Sequence, residues 1–133
     1  MGVMVPKFPN FFIMYGPNTN STGALIAMFE AEAQFAIDSV RDMLRGGHAS
    51  IEVDEGKFEE YNRWLDGEFA NSAFRSTRNY FTNKRGRIIT NYPRGSELFL
   101  KMLREGRESA LIYGGAGVGG SGATQSMVAP NPH

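Results

Sequence analysis

The polar groups of this chain that could do chemistry concentrate in one short run, Gly16-Pro17-Asn18-Thr19-Asn20, with Thr22 two residues further on. Amides and hydroxyls set between a glycine and a helix start can hydrogen-bond a heterocycle, and the positive end of a helix favours an anionic or electron-rich ligand beside it. Gly, Pro and Asn are equally the ordinary residues of a tight turn, so composition alone leaves both readings open. Catalytic constellations are missing elsewhere. The chain has no cysteine, which excludes disulfides, thiolate zinc sites and a cysteine nucleophile, and its only imidazoles are His48, after a Gly-Gly pair, and His133. The serines have no identifiable histidine partner, so no hydrolase triad, no catalytic residue and no metal site is assigned. Glu30 and Glu32 lie on different sides of a helix and form no carboxylate pair, and Glu32, which interrupts an apolar stripe, is expected on a partly exposed flank.

Two further patterns have a bland and a sharp reading each. Gly115-Ala116-Gly117-Val118-Gly119-Gly120 satisfies G-x-G-x-x-G. That motif works through a following helix and an acidic residue on the next strand, whereas here Gly, Ser, Ala and Thr lead to Pro130 and Pro132 with no acidic residue after Glu108. The stretch 114–133 is therefore expected to be a disordered tail. Between residues 74 and 94, Arg75, Arg78, Lys84, Arg85, Arg87 and Arg94 alternate with Phe74, Tyr80, Phe81 and Tyr92. Such a block could bind single-stranded nucleic acid by phosphate contact and stacking; the favoured reading is a solvated hairpin whose arginines pair with the acidic segment before it.

The elements that must position the loop follow from periodicity. Phe11 to Tyr15 is an unbroken apolar run bounded by Pro9 and Gly16-Pro17, which predicts a buried strand before the loop. Ser21 or Thr22 is expected to cap a helix from Ala24 to Arg45 whose apolar stripe is Leu25, Met28, Phe29, Ala36, Val40, Met43 and Leu44, widened by Ile26, Ala33 and Ile37, with Gly46-Gly47 as its stop. Ser50 to Val53 alternates like a strand. Asp54 then caps a second helix presenting Phe58, Tyr61, Trp64, Leu65, Phe69 and Phe74. A hairpin over 75–90 turns at Asn83-Lys84-Arg85-Gly86, and Ser96 caps a short helix, Glu97 to Arg104, beyond which periodicity is lost after Gly106.

Composition bounds the class. With 133 residues and 41% hydrophobic content the chain suits a single domain with a real core. Lys plus Arg balance Asp plus Glu at 14 each, so no global field argues for nucleic acid or a membrane surface. No apolar run approaches the roughly 20 residues that span a bilayer, and the first residues lack the pattern of a signal peptide, so a cytoplasmic protein without a membrane partner is expected.

Taken together, Phe8-Pro9-Asn10-Phe11-Phe12-Ile13-Met14-Tyr15-Gly16-Pro17-Asn18-Thr19-Asn20 with Phe29-Glu30 resembles the C-terminal part of class B flavoprotein monooxygenases, nearest to Baeyer–Villiger monooxygenases of the cyclohexanone type. Tyr61, Trp64 and Leu65, then Asn79-Tyr80-Phe81, Gly86-Arg87-Ile88 and Asn91-Tyr92-Pro93 with Gly95-Ser96, are similar to later motifs of that family, and the resemblance runs over about residues 3 to 105. Departures are Glu32 where family members often have Gln, Tyr80 and Tyr92 where Trp is usual, and an inserted Arg94; they bear on substrate class. The resemblance implies an α/β fold, with residues 1–113 as the C-terminal piece of a Rossmann-like FAD-binding domain and 114–133 outside it. It implies FAD and NADPH as cofactors of a parent enzyme that inserts oxygen into a ketone or onto a heteroatom, with Gly16, Pro17, Asn18, Thr19, Asn20 and Thr22 beside the flavin ring. The family's glycine fingerprints and catalytic residues would precede Met1, so this chain alone is expected to be inactive and its partners to be the missing N-terminal FAD and NADPH domains.

Overall fold

The first twenty residues set the architecture by refusing to be a strand. Lys7, Asn10, Tyr15 and Asn18 all adopt left-handed backbone conformations (φ 70, 60, 55 and 58°), which break an extended run every few residues. In the structure, a computed structural model that describes residues 2–21, 25–72 and 81–116, the segment Phe11 to Tyr15 accordingly forms no strand. It is tethered instead by the Ile13 amide on the Val3 carbonyl (2.7 Å) and the Asn10 amide on the Ile51 carbonyl (2.8 Å). Phe11, Met14 and Tyr15 are about half exposed rather than buried, a correction to the expected covered strand.

Helix α1 spans Leu25–Arg45, and its buried residues are Met28, Glu32, Phe35 and Ser39, spaced four, three and four apart as one helical face requires. Most of the predicted stripe lies on another face: Ile26, Ile37 and Leu44 are 74, 53 and 68% exposed, and Leu25 and Val40 are exposed as well. The helix is apolar on two sides, and among the described residues only one of them is buried. It stops as expected at Gly46-Gly47, where Gly47 takes φ 67° and the Gly46 amide reaches the Asp42 carbonyl (2.9 Å).

Strand β1, His48–Val53, follows, and Asp54 caps α2, Glu55–Ala70, with its carboxylate accepting from the Lys57 amide at 2.8 Å. Phe74 and the first arm of the predicted hairpin, 75–80, lie outside the described residues. What is described of the hairpin is a tight turn, with Asn83 accepting from the Arg85 and Arg87 amides and an isolated antiparallel bridge between Thr82 and Ile88. The last helix, α3, runs Ser96–Ala110. It is longer than expected because burial of Phe99, Leu103 and Ala110 and an ion pair from Arg107 to Asp42 of α1 (2.6 Å) outweigh the roughly 1 kcal/mol that Gly106 costs a helix. Gly95 occupies its N-cap with no side-chain bond, so Ser96 does not play the capping role.

Strand β2, Leu111–Ala116, pairs antiparallel with β1, Val53 opposite Leu111 and His48 opposite Ala116. Gly114, Gly115 and Ala116, expected in the tail, are thus part of the sheet; residues 117–133 lie outside the described residues. The other edge of β1 is closed by Asn10, whose side-chain oxygen accepts from the Ile51 amide at 2.9 Å. The fold is α/β in content. The core lies where α1 meets α3 and β1, and α2 joins it through a relay of rings, Tyr61 to Trp64 (5.7 Å), Trp64 to Tyr92 (6.1 Å) and Tyr92 to Phe99 (5.3 Å).

Candidate functional site

The loop Gly16 to Asn20 is clamped to the chain segment 88–92. The Asn18 amide donates to the Ile89 carbonyl (3.0 Å), the Asn20 amide to the Thr90 carbonyl (3.0 Å), and the Tyr92 amide to the Asn20 carbonyl (2.7 Å); Asn20 and Asn91 form an isolated parallel bridge. The side chains tighten this pairing. Asn18 Nδ2 donates to the carbonyls of Ile88 (3.0 Å) and Asn91 (2.9 Å), Asn20 Nδ2 to Asn91 Oδ1 (3.0 Å), and Thr19 Oγ1 back to the Gly16 carbonyl (2.7 Å). Asn18 and Thr19 are buried as a result, 4 and 1% exposed.

The candidate site residues therefore divide. Gly16 to Asn20 are brought together, but the polar side chains of Asn18 and Thr19 face inward and are engaged. Ser21 donates to the Arg94 carbonyl at 3.2 Å, and Thr22 lies outside the described residues. What the loop shows to the outside is the exposed ring of Pro17, beside Met14 and Tyr15 at 46 and 48% exposure, with Tyr15 edge-on to Phe29 of α1 (5.5 Å). Flat apolar and aromatic surface over a rigid backbone suits the wall of a ring-shaped ligand. It does not resemble a phosphate cradle, which needs free backbone amides, since the Asn18 and Asn20 amides are taken up by the Ile89 and Thr90 carbonyls.

Three residues support the loop in ways that the sequence reading did not assign to them. Asn91 is the far side of the clamp. Gly2 packs so closely that a Cβ on Gly16 would collide with its carbonyl oxygen and sit 3.0 Å from its carbonyl carbon, which is why position 16 needs glycine. Glu32 is the third: the expected flank residue is wholly buried at 0% exposure, and its Oε2 accepts from the Tyr15 amide at 2.8 Å. Its Oε1 is buried without a hydrogen-bond partner. Burial raises the Glu32 carboxyl above its ordinary range, against weaker opposing pulls from the Tyr15 amide and the Thr19 hydroxyl.

Two arginines of the basic block pair with the acidic segment as the favoured reading has it, while Lys84 and Arg85 stand exposed at the turn. Arg87 bonds Asp66 (3.0 Å) and Asn62 (2.6 Å) on α2, and Arg94 pairs with Glu68. Arg75 and Arg78 lie outside the described residues. Among the described residues no group of three His, Cys, Asp or Glu could hold a metal ion, and no helix is long and apolar enough to cross a membrane.

No protein-family model matches the chain. An uncharacterized monooxygenase of Sinorhizobium fredii is 29% identical over 109 residues, 79% of this chain and 16% of that protein. A Baeyer–Villiger monooxygenase of Pseudomonas aeruginosa is 30% identical over 74 residues, 55% of the chain and 14% of that protein. An FAD-binding monooxygenase of Aspergillus niger is 25% identical over 123 residues, 87% of the chain and 20% of that protein. The chain thus spans between a seventh and a fifth of the length of the curated relatives it matches. Among solved structures, an oxidized steroid monooxygenase bound to NADP shares the fold, with a TM-score of 0.75 at 18% identity over 84% of this chain and 22% of that one. Sequence and fold together make this chain a relative of the flavoprotein monooxygenases.

Proposed function

We propose that this chain serves as the C-terminal part of an FAD- and NADPH-dependent monooxygenase, acting on a ketone or a heteroatom, and that Gly16 to Asn20 with Tyr15 wall one side of its flavin. The observation that carries this reading is the loop itself: polar side chains turned inward to fix the backbone, and an apolar and aromatic face turned outward where a planar ring can lie. The relatives support it by name, one as an FAD-binding and one as a Baeyer–Villiger monooxygenase. FAD, when bound and reduced by NADPH, supplies the activation of dioxygen. The residues of this chain hold and shape. Asn18, Asn20 and Asn91 lock the loop, Glu32 pins Tyr15 from behind, and Pro17 and Tyr15 exclude water from the ring face they cover.

Among the described residues there is neither a phosphate cradle nor a hydride donor's site; on this reading the chain is inactive by itself, and the exposed side of α1 is the surface that meets the parent's FAD and NADPH domains. A cytoplasmic location goes with that reading. The test is a pair of measurements. The 133-residue chain should show no stoichiometric flavin absorbance and no ketone-dependent NADPH oxidation; either would overturn the proposal. A chimera of the Aspergillus niger relative in which this chain replaces the matched stretch should retain FAD, and a chimera that folds with its flavin site empty would also defeat it.

A further inference from the structure

Behind the Gly16 to Asn20 loop lies a carboxyl group in a setting that suits only one of its two charge states. Glu32 is wholly buried at 0% exposure, its Oε2 accepts from the Tyr15 amide at 2.8 Å, and its Oε1 is buried with no hydrogen-bond partner. A neutral carboxyl tolerates one idle oxygen. A carboxylate spreads its charge over both, and a buried charge short of donors is costly enough that such a group keeps its proton instead.

Among the described residues, the charged groups of the elements around α1 are occupied elsewhere or exposed. Arg107 is paired with Asp42, Lys101 with Glu105 and Lys7 with Glu55, Glu52 takes the Lys7 amide, His48 lies against Tyr113, and Glu97, Arg104 and Glu108 are exposed. On α1 itself Asp38 holds Arg41, and Glu30 and Arg45 are exposed. The groups that act on the Glu32 carboxyl are the Tyr15 amide and the Thr19 hydroxyl. The amide is already taken by Oε2. The hydroxyl, 1% exposed with its residue, gives its one proton to the Gly16 carbonyl at 2.7 Å. A threonine hydroxyl rotates to suit its surroundings, so that proton can be redirected.

We propose that Glu32 and Thr19 form a proton-set latch on this loop: with Glu32 neutral the Thr19 hydroxyl holds the Gly16 carbonyl, and when Glu32 gives its proton to solvent the hydroxyl turns to the carboxylate and lets that carbonyl go. Glu32 is thereby a positioning residue, acting on the outer face of the loop through Tyr15 and Gly16. That the loop walls a flavin is the reading given above, and the latch rests on it for its purpose alone. On that reading it sets how the apolar face is presented to the ring.

The experiment follows the isotope-labelled full chain by carbon NMR, without flavin, as the pH is raised. The side-chain carboxyl carbon of Glu32 should titrate above the ordinary glutamate range, and the Gly16 carbonyl carbon, which reports the bond it accepts, should shift with the same midpoint. Glu32→Gln keeps the shape and the acceptor for Tyr15 but has no titrating proton, so the Gly16 shift should become flat. Thr19→Val removes the hydroxyl. Glu32 should then titrate higher still, having lost the donor for its charged form, and the Gly16 carbon should no longer follow it. An ordinary Glu32 midpoint, a Gly16 carbon that ignores the Glu32 titration, or a Gly16 titration that survives either substitution would overturn the latch. The first two are read in the parent chain, so the proposal stays open to refutation even where a variant does not fold. None of these outcomes bears on flavin binding, which the chimera decides.

Discussion

Substitution of Asn18 separates a loop held from within from one whose polar groups reach outward. Its two side-chain bonds, 3.0 Å to the Ile88 carbonyl and 2.9 Å to the Asn91 carbonyl, are shielded at 4% exposure, so water cannot replace the donor. Losing both leaves two buried acceptors short. Since each carbonyl keeps a second lone pair, about 1 to 1.5 kcal/mol per bond is appropriate, at the lower end of the range for unmade bonds. The backbone adds a separate cost, because φ is 58° and a left-handed alanine is disfavoured by about 1 kcal/mol. Asn18→Ala should therefore cost about 3 to 4 kcal/mol, a large share of the roughly 5 to 15 kcal/mol that holds a domain. Asn18→Gly loses the bonds without the steric cost and should sit at or up to about 0.5 kcal/mol above alanine, since the extra chain entropy of glycine offsets most of the relief. Asn18→Asp, equal in shape but facing two carbonyl oxygens with a carboxylate, should be the worst of the three. Urea unfolding followed by far-UV circular dichroism and Trp64 emission measures this. A loss of 3 to 4 kcal/mol lowers the midpoint by about 2 M at a slope near 2 kcal/mol/M. If alanine and glycine both unfold within about 0.5 kcal/mol of the parent, the inward clamp is not what fixes the loop.

Other perturbations follow from the same geometry. Gly16→Ala drives a Cβ into the Gly2 carbonyl and should cost about 1 to 3 kcal/mol as overpacking; a chain beginning at Val3, released from a cleavable tag, should tolerate it, and equal loss in both backgrounds would refute the clash. Glu32 has a raised carboxyl pKa from burial, so the unfolded chain gives up this proton at lower pH than the folded one. Stability from this group is full below about pH 4.5, falls as pH rises through the folded value, and then levels off. Glu32→Gln should flatten that part of the profile and gain stability at neutral pH; identical pH profiles for the two chains would refute it. Asp54→Ala removes the α2 cap and should cost about 1 kcal/mol, read as faster amide exchange in the first turn of α2. Lysine at Ile37 and Leu44, both exposed on α1, should reduce self-association in sedimentation without lowering the unfolding midpoint.

The sequence made the helices and the α2 cap legible because those signals are local. Asp54 at a capping distance and the ring spacing of Tyr61, Trp64 and Leu65 needed no tertiary information. The misreadings arise where tertiary packing decides. An apolar run such as Phe11 to Tyr15 looks the same whether a sheet covers it or left-handed residues break it up, and hydropathy does not reveal φ at Tyr15. Helix α1 carries apolar residues on two faces, and periodicity cannot say which one this chain itself covers. Gly106 is a helix breaker by propensity, overruled by Arg107 reaching Asp42. In the candidate site the loop was legible from its composition, but its orientation was not. Composition offers Asn18 and Thr19 as groups able to bond a ligand; that the Asn18 side chain is taken up instead by the carbonyls of Ile88 and Asn91, 70 and 73 positions away, is a tertiary fact no local pattern carries.

The clamp on Asn18 and Asn20 joins residues 70 to 73 positions apart, and that separation has a kinetic meaning. Closing a loop of about 70 residues costs on the order of 4 kcal/mol of chain entropy before any bond is gained, while α1 and the β1 to α2 region assemble from near neighbours in microseconds. The loop is therefore expected to set last as the chain folds and to come loose first when it opens. Substitutions at Asn18 should then accelerate unfolding while leaving the folding rate nearly unchanged, the signature of contacts absent from the transition state.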